Sequence, residues 1–345
     1  MSARLPSFLR YRGTSARPFV TLAAFAIAFA LLPTYASGEV GSANVFNVFQ
    51  ALSGIGLVAL ALGLTMVIGE YDLSVSSSYL LGGMLAVKTG GDSPVLGVAV
   101  AVAAGLMVGF IQGFLVAKLR MSSMPVTLGG FISLLGLVFL ISNSKSVNYS
   151  DLSVSIWLND PVMSIFSARS LIAIAIFLIA GAIFAFTWLG RDVRAVGSDR
   201  EASRTAGVRV DSIIIGTFMS SAAIACFSGA LLSYSLAYAT PNRTVAPLVF
   251  ATTMALLGGV SLSGGRGFPL GIAAGAISLS LLSEGMAVTA AQPYVTYLVT
   301  GGLLVVVTII DAPHLLRWWK TAKARNNFGR GGRSGRLATT RAGDR

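Results

Sequence analysis

Apolar runs of about 20 residues return along almost the whole of this chain, and this recurrence constrains its fold more than any other feature. That is the length a helix needs to cross a hydrocarbon core of roughly 30 Å. Ten apolar runs, some shorter than this, can be read as spans: 18–35, 45–68, 75–87, 95–117, 125–141, 170–189, 212–238, 246–260, 268–283 and 294–310. In lipid every backbone polar group must be satisfied within the spanning segment, so continuous runs mean helices. A membrane barrel would instead show short strands of alternating polarity. Composition agrees, with 54% hydrophobic and 11% charged residues, against about 25% charged in an average soluble domain. The expected fold is an all-α polytopic membrane protein of about ten transmembrane helices. The chain divides into a basic N-terminus (1–17), a transmembrane domain (18–311) and a basic, Gly-rich tail (312–345) expected to be disordered.

The net charge of +12 is placed rather than spread. With the N-terminus inside, the inner segments hold 21 of the 25 basic residues. Lys88, Lys145, Arg169 and Arg243 are left outside. The positive-inside bias therefore puts both termini in the cytoplasm. This placement suits anionic lipid head groups rather than nucleic acid. The tail sequence G-R-G-G-R-S-G-R resembles an RNA-binding segment, but aromatic stacking residues are scarce there. Trp318 and Trp319 read as interface anchors. The basic stretch before residue 18 resembles a signal peptide, but its apolar run has spanning length, so an uncleaved first helix is expected.

The most charged stretch between two spans is 190–211, which contains the grammar of a short helix. Ser198 and Glu201 form an S-x-x-E capping box, Arg204 sits in the last turn, and Gly207 is placed for a left-handed C-cap. Ala202 and Ala206, four apart, share one face. Such a helix is suited to docking into a partner; a plain solvated loop is the alternative. Arg200, Glu201, Ala202, Arg204, Ala206 and Gly207 are the docking candidates.

Much chemistry is missing. The chain contains no Gly-Lys dipeptide and hence no P-loop, one cysteine (Cys226, in an apolar run) and one histidine (His314, past the last span). No metal cluster, disulfide or nucleophile–base pair can be drawn from these residues. No catalytic residue, metal site or cofactor is therefore expected in this chain. The stretch S-L-S-G-G-R-G at 261–267 offers amides for a phosphate, but a tight turn between helices is the stronger reading, with Gly258, Gly259, Ser261, Gly264 and Gly265 shaping it. The motif G-x-x-D-L-S from Gly69 is echoed by G-x-x-S-L-S from Gly258, either as a trace of duplication or as two similar turns.

Acids near membrane depth are few: Glu70, Asp72, Glu284 and Asp311, each near a span end. The remaining polar groups in the spans are mostly neutral. Asn47, Gln50, Asp72, Ser74, Ser76, Thr127, Thr252 and Thr253 are candidates for lining a pathway. Neutral hydrogen-bonding groups suit an uncharged, hydroxyl-rich solute, although Ser and Thr in helices often bond only their own backbone.

Four stretches together resemble the permease subunits of bacterial ATP-binding-cassette importers for ribose and other simple sugars, the branched-chain and monosaccharide permease family. G-E-Y-D-L-S-V-S-S from Gly69 is similar to that family's G-G-I-D-L-S-V-G-S. V-T-L-G at 126–129 is similar to I-x-T-L-G. G-S-D-R-E-A-S-R-T-A-G-V from Gly197 is similar to G-x-N-x-E-A-A-R-x-x-G-I, and G-G-V-S-L-S-G-G-R-G from Gly258 to G-G-x-S-L-x-G-G-x-G. The likeness covers about 44–311. It departs at Glu70 and Tyr71, which replace Gly and Ile, and at Ser203, which replaces Ala. The resemblance implies a bacterial inner-membrane location and several partners. A cytoplasmic ATPase, carrying the ATP and Mg, would dock on Glu201, Ala202 and Gly207. A periplasmic or lipid-anchored solute-binding protein would meet 142–167 and 238–245. A second permease copy or a similar chain would complete the pathway. The competing reading is an ion-coupled secondary transporter of a small polar solute, with Glu70, Asp72 and Glu284 carrying protons.

Overall fold

The computed structural model describes residues 16–35, 40–91, 93–242 and 245–311. The basic N-terminus before Ala16, Arg243 and the tail, with its tryptophans and His314, lie outside the described residues. Residues 1–304 form one compact unit; of the second, 305–345, only the last turns of a helix are described.

The described chain is helical with one small exception. In order come α1 (Arg17–Tyr35), α2 (Ser42–Ala51), a π-helical turn (Leu52–Gly56), α3 (Leu57–Val67), α4 (Val75–Gly90), α5 (Pro94–Ala117) and α6 (Ser123–Ser142). After a two-residue strand β1 (Val147–Asn148) come α7 (Leu152–Asn159), α8 (Ala168–Phe186), α9 (Trp188–Ser198), α10 (Arg200–Thr205) and α11 (Val210–Leu236). Strand β2 (Tyr238–Ala239), α12 (Ala246–Leu257), α13 (Pro269–Val288) and α14 (Pro293–Asp311) complete it. The ten expected spans correspond to α1, α2–α3, α4, α5, α6, α8, α11, α12, α13 and α14. Among the described residues seven helices are long and apolar enough to cross a membrane; α4 and α12 are shorter, as is the apolar part of α1, Arg17–Leu32.

Burial decides which helix goes where. Every residue of α3 is buried, as befits a helix that is apolar all round. Around it pack α11, α12, α8 and α13, and α4 packs against α11 and α5. Helices α5 and α6 expose most of their surface, as lipid-facing helices do. The close fit of α5 against α11 comes from Gly105, Gly109 and Gly113, one per turn along a single face. A β-carbon on Gly105 would lie 2.6 Å from the Ala222 carbonyl oxygen, and one on Gly113 would lie 2.8 Å from the Ile215 Cα. Lipid tails are as apolar as leucine, so helices in a bilayer associate through such backbone contact rather than through the hydrophobic effect.

Two connections carry secondary structure of their own. The segment 142–167 holds β1 and α7. Val147 pairs with Ala239 and Asn148 with Tyr238, while α7 hydrogen-bonds the end of α11 through Ser155 and Asn159 to the Ser235 carbonyl. The charged stretch 190–211 is likewise two helices. The chain breaks at the extended Thr187, and α9 then runs with Gly190, Val193 and Val196 buried on one face. The cap of α10 also differs from expectation. Asp199, not Ser198, is the N-cap; its carboxylate accepts from the Ala202 amide at 3.0 Å. Ser198 still belongs to α9 and donates to the Arg194 carbonyl. Two adjacent residues can cap, and the one already used by the preceding helix is taken. The C-terminus obeys the sequence: Gly207 has φ +85°, and the Val208 amide donates to the Ser203 carbonyl.

Candidate functional site

Three turns that are far apart in sequence meet at one end of the bundle. The first is Gly69–Ser74 between α3 and α4. The second is the α9–α10 corner at Gly197–Asp199. The third is the Gly-rich turn after α12. Gly69 has φ +78°, Gly264 +77° and Gly265 +72°, values that suit residues without a β-carbon. Their backbones touch. The Gly265 amide donates to the Val67 carbonyl at 2.8 Å, and a β-carbon on Gly264 would lie 2.7 Å from both the Gly69 Cα and the Gly197 carbonyl oxygen. The expected turn residues thus act as a turn and as part of this junction. Gly258 and Gly259 end α12, and Ser261 accepts from the Ser263 amide and from Arg266. The sequence echo is one residue out of register in space. The left-handed glycine that ends each helix is Gly69 in one copy and Gly259 in the other, with Glu70 and Val260 amides returning to the Thr65 and Ala255 carbonyls.

An ion pair tightens the junction. The Arg200 guanidinium binds the Glu70 carboxylate and also reaches the Ile68 carbonyl at 3.4 Å. Glu70 is nearly buried. A cleft of about 400 Å³ lies between these turns, lined by Ile68–Glu70, Val196–Arg200 and Ser263. Nearby, Asp211 accepts from Lys118 at 3.1 Å and from Arg204 at 2.8 Å. Helix α10 then stands out from the surface. Glu201, Ala202, Ala206 and Gly207 are exposed, Arg204 is exposed beyond its bond to Asp211, and Ser203 is buried. Of the docking candidates, Arg200 is therefore tied to Glu70 as a brace while staying partly exposed, whereas the others face out. Ser203 tolerates the buried position because its hydroxyl donates to the Asp199 carbonyl at 2.7 Å.

The pathway candidates fall into groups. Asp72 is fully buried; one carboxylate oxygen accepts from the Ser74 amide and hydroxyl, and the other has no partner among the described residues. Burial pushes this carboxyl up to about 6. Ser74 is joined to Gln112 of α5. Thr127 of α6 accepts from the Leu73 amide and donates to the Ser123 carbonyl. Thr252 bonds Tyr71 and its own Leu248 carbonyl, and Thr253 bonds its own Val249 carbonyl. Ser76 is buried, with no partner among the described residues. These groups position the Tyr71–Ser74 turn against α5, α6 and α12. At the opposite end Asn47 and Asn44 both donate to Glu284 at 3.0 Å, and Gln50 donates to Ser167 at 2.7 Å. Gln112, Arg169 and Glu284 lie beyond the pathway set expected from sequence. An intramembrane amide or cation is the signal by which such residues are found.

Known proteins share this chain's sequence over most of its length. Residues 44–308 match the family described as branched-chain amino acid transport system / permease component. The chain is 28% identical to an L-arabinose ABC transporter permease of Azospirillum brasilense, over 83% of this chain and 85% of that protein. It is 28% identical to a fructose import permease of Rhizobium meliloti, over 89% and 88%. It is 27% identical to the ribose import permease of Escherichia coli K12, over 84% and 92%. No solved structure matches the chain.

Proposed function

Because the chain belongs to the family of branched-chain amino acid transport system permease components, we propose that it is the transmembrane permease of an ATP-binding-cassette importer for a monosaccharide. The relatives named above are an L-arabinose transporter permease and import permeases for fructose and ribose, which supports that class of cargo. The observation that carries the reading is the exposed, capped helix α10 seated on the three-turn junction. A rigid platform beneath a projecting short helix is what a soluble motor subunit needs in order to push on the bundle. In this reading the junction end is cytoplasmic and an ATPase subunit docks on Glu201, Ala202, Ala206 and Gly207.

The opposite end then faces the solute-binding protein. The β1–β2 ladder supports this, because it joins the two connections expected to receive that partner. So does α7, which leaves Leu152, Ile156 and Trp157 exposed. A second permease chain, either a copy or a similar protein, completes the pathway. ATP binding and hydrolysis bias the assembly between two states of different solute affinity.

The test is co-expression with the ATPase and binding protein that function with this chain. Glu201→Ala and Gly207→Pro are expected to insert normally but to lose ATPase co-purification and uptake of labelled L-arabinose, fructose and ribose. Wild-type co-purification and uptake in both variants would refute docking on α10. Uptake that persists without ATP and collapses with the proton gradient would favour the ion-coupled alternative.

A further inference from the structure

Away from the junction, a cation sits inside the bundle without a counter-charge among the described residues. Arg169 lies in the first turn of α8, beside Gln50 of α2. Gln50 is eight residues into α2, about 12 Å along the helix. The Arg169 Nε donates to the Gln50 side-chain oxygen, and the Gln50 amide donates to Ser167 at 2.7 Å. Ser167 and Ser170 cap α8 reciprocally and hold that hydroxyl in place. The Arg169 Nη1 is buried and has no partner among the described residues. No described carboxylate lies within ion-pair distance of it.

The backbone beneath this pair is specialised as well. Directly after Gln50 the helix widens into the π-turn Leu52–Gly56. A π-turn leaves carbonyls short of their usual partners and rotates the helix before it relative to the helix after it. Ser228 of α11 donates to the Gly54 carbonyl at 2.8 Å and so stabilises the widened turn. Ser53 bonds back to the Gln50 carbonyl at 2.7 Å. The turn thus directs Gln50 at Arg169, whereas a regular helix would carry it round to a different face. An ionised group at this depth is costly to keep, and the unpartnered Nη1 leaves the guanidinium an N–H donor for an acceptor oxygen.

We propose that Arg169, oriented by Gln50 over the π-turn, is a solute-recognition residue in the translocation pathway. It takes an acceptor oxygen from the cargo, either a hydroxyl of a neutral sugar or the carboxylate of a sugar acid. This rests on the importer reading and adds the residue that contacts the solute. The four signature stretches lie elsewhere in the chain, so the site is independent of them.

The experiment uses the complete transporter, with its ATPase and binding protein, in proteoliposomes. The probes are D-ribose, L-arabinose, D-fructose and D-galacturonate. Arg169→Gln is expected to lower uptake by about tenfold or more, and Arg169→Lys by roughly half as much on a logarithmic scale, because an ammonium lacks the planar fork. A loss confined to galacturonate identifies the carboxylate as the ligand; a loss on the neutral sugars identifies the hydroxyls. Gln50→Glu separates recognition from structure. It gives Arg169 the carboxylate it lacks, so the purified permease should melt no lower than wild type while uptake falls. Wild-type uptake in Gln50→Glu, or in both Arg169 variants, overturns the proposal and leaves the importer reading standing. A wild-type transporter that imports none of the four probes overturns both.

Discussion

Gly197 offers a direct test of the three-turn junction. Changing it to alanine adds one methyl group where there is no room. The new β-carbon would lie 2.6 Å from the Gly265 amide nitrogen and closer still to the Val67 carbonyl oxygen. Both are backbone atoms, so neither can rotate away. Restoring ordinary contact requires the α9–α10 corner to move by about 1.5 Å, more than the gap at which packed contacts lose much of their attraction. The Gly265–Val67 hydrogen bond, 2.8 Å long, lies in the gap that must open. Its loss costs about 1 kcal/mol, and overpacking adds about 1–3 kcal/mol. The total of about 2–4 kcal/mol corresponds to a factor of roughly 30 to 1,000 in any equilibrium that depends on a closed junction. The expected outcome for Gly197→Ala is a lower melting temperature in detergent, together with loss of ATPase co-purification. Gly216→Ala is the control, since an added β-carbon there meets nothing within 4 Å on the exposed face of α11. If Gly197→Ala behaves as wild type, or Gly216→Ala is equally damaging, the steric argument is refuted.

Further perturbations probe the same elements. A double-mutant cycle of Glu70→Gln and Arg200→Gln should give a coupling of about 1 kcal/mol, held down by the exposure of Arg200; zero coupling would show that the brace contributes nothing. Asp72 holds its proton more tightly folded than unfolded, so its contribution to stability is fully present below about pH 4 and is lost as pH rises through about 6. Melting temperature measured across that window should fall for the wild type and stay flatter for Asp72→Asn; parallel curves would rule out Asp72 as the titrating group. Ser228→Ala removes one of the two donors to the Gly54 carbonyl, leaving only the Leu57 amide, and should destabilise by about 1 kcal/mol in chemical denaturation, whereas an unchanged midpoint would mean that the π-turn needs no support from α11.

Element identity was legible wherever it depends on length or on neighbours a few residues away. The ten apolar runs could be counted because a bilayer imposes one length on whatever crosses it. The end of α10 at Gly207 could be read because a left-handed C-cap is a property of one residue and the turn before it. Its start could not be settled in the same way. Ser198 and Asp199 are both competent caps, and the choice fell to Asp199 once α9 had claimed Ser198. Helix α9 and the ladder in 142–167 went unread for a similar reason. Their apolar positions are too few to register as runs, and their partners lie in α8, α11 and β2.

The candidate site was legible as residues but not as an arrangement. Glycine-rich turns, a charged helix and buried neutral polar groups could all be singled out, because each departs from what a lipid-spanning segment tolerates. Their pairings could not, because residues 119 and 130 positions apart had to be brought together. By itself the sequence determined that this chain makes membrane helices and where α10 ends, since lipid length and local capping act within a single segment. Only the tertiary structure decided that Glu70 braces Arg200, that Gly69, Gly197 and Gly264 share one junction, and that Gln50 holds Arg169 over a π-turn. Such contacts are set by how helices cross, and that depends on the fit of small residues between elements remote in the chain.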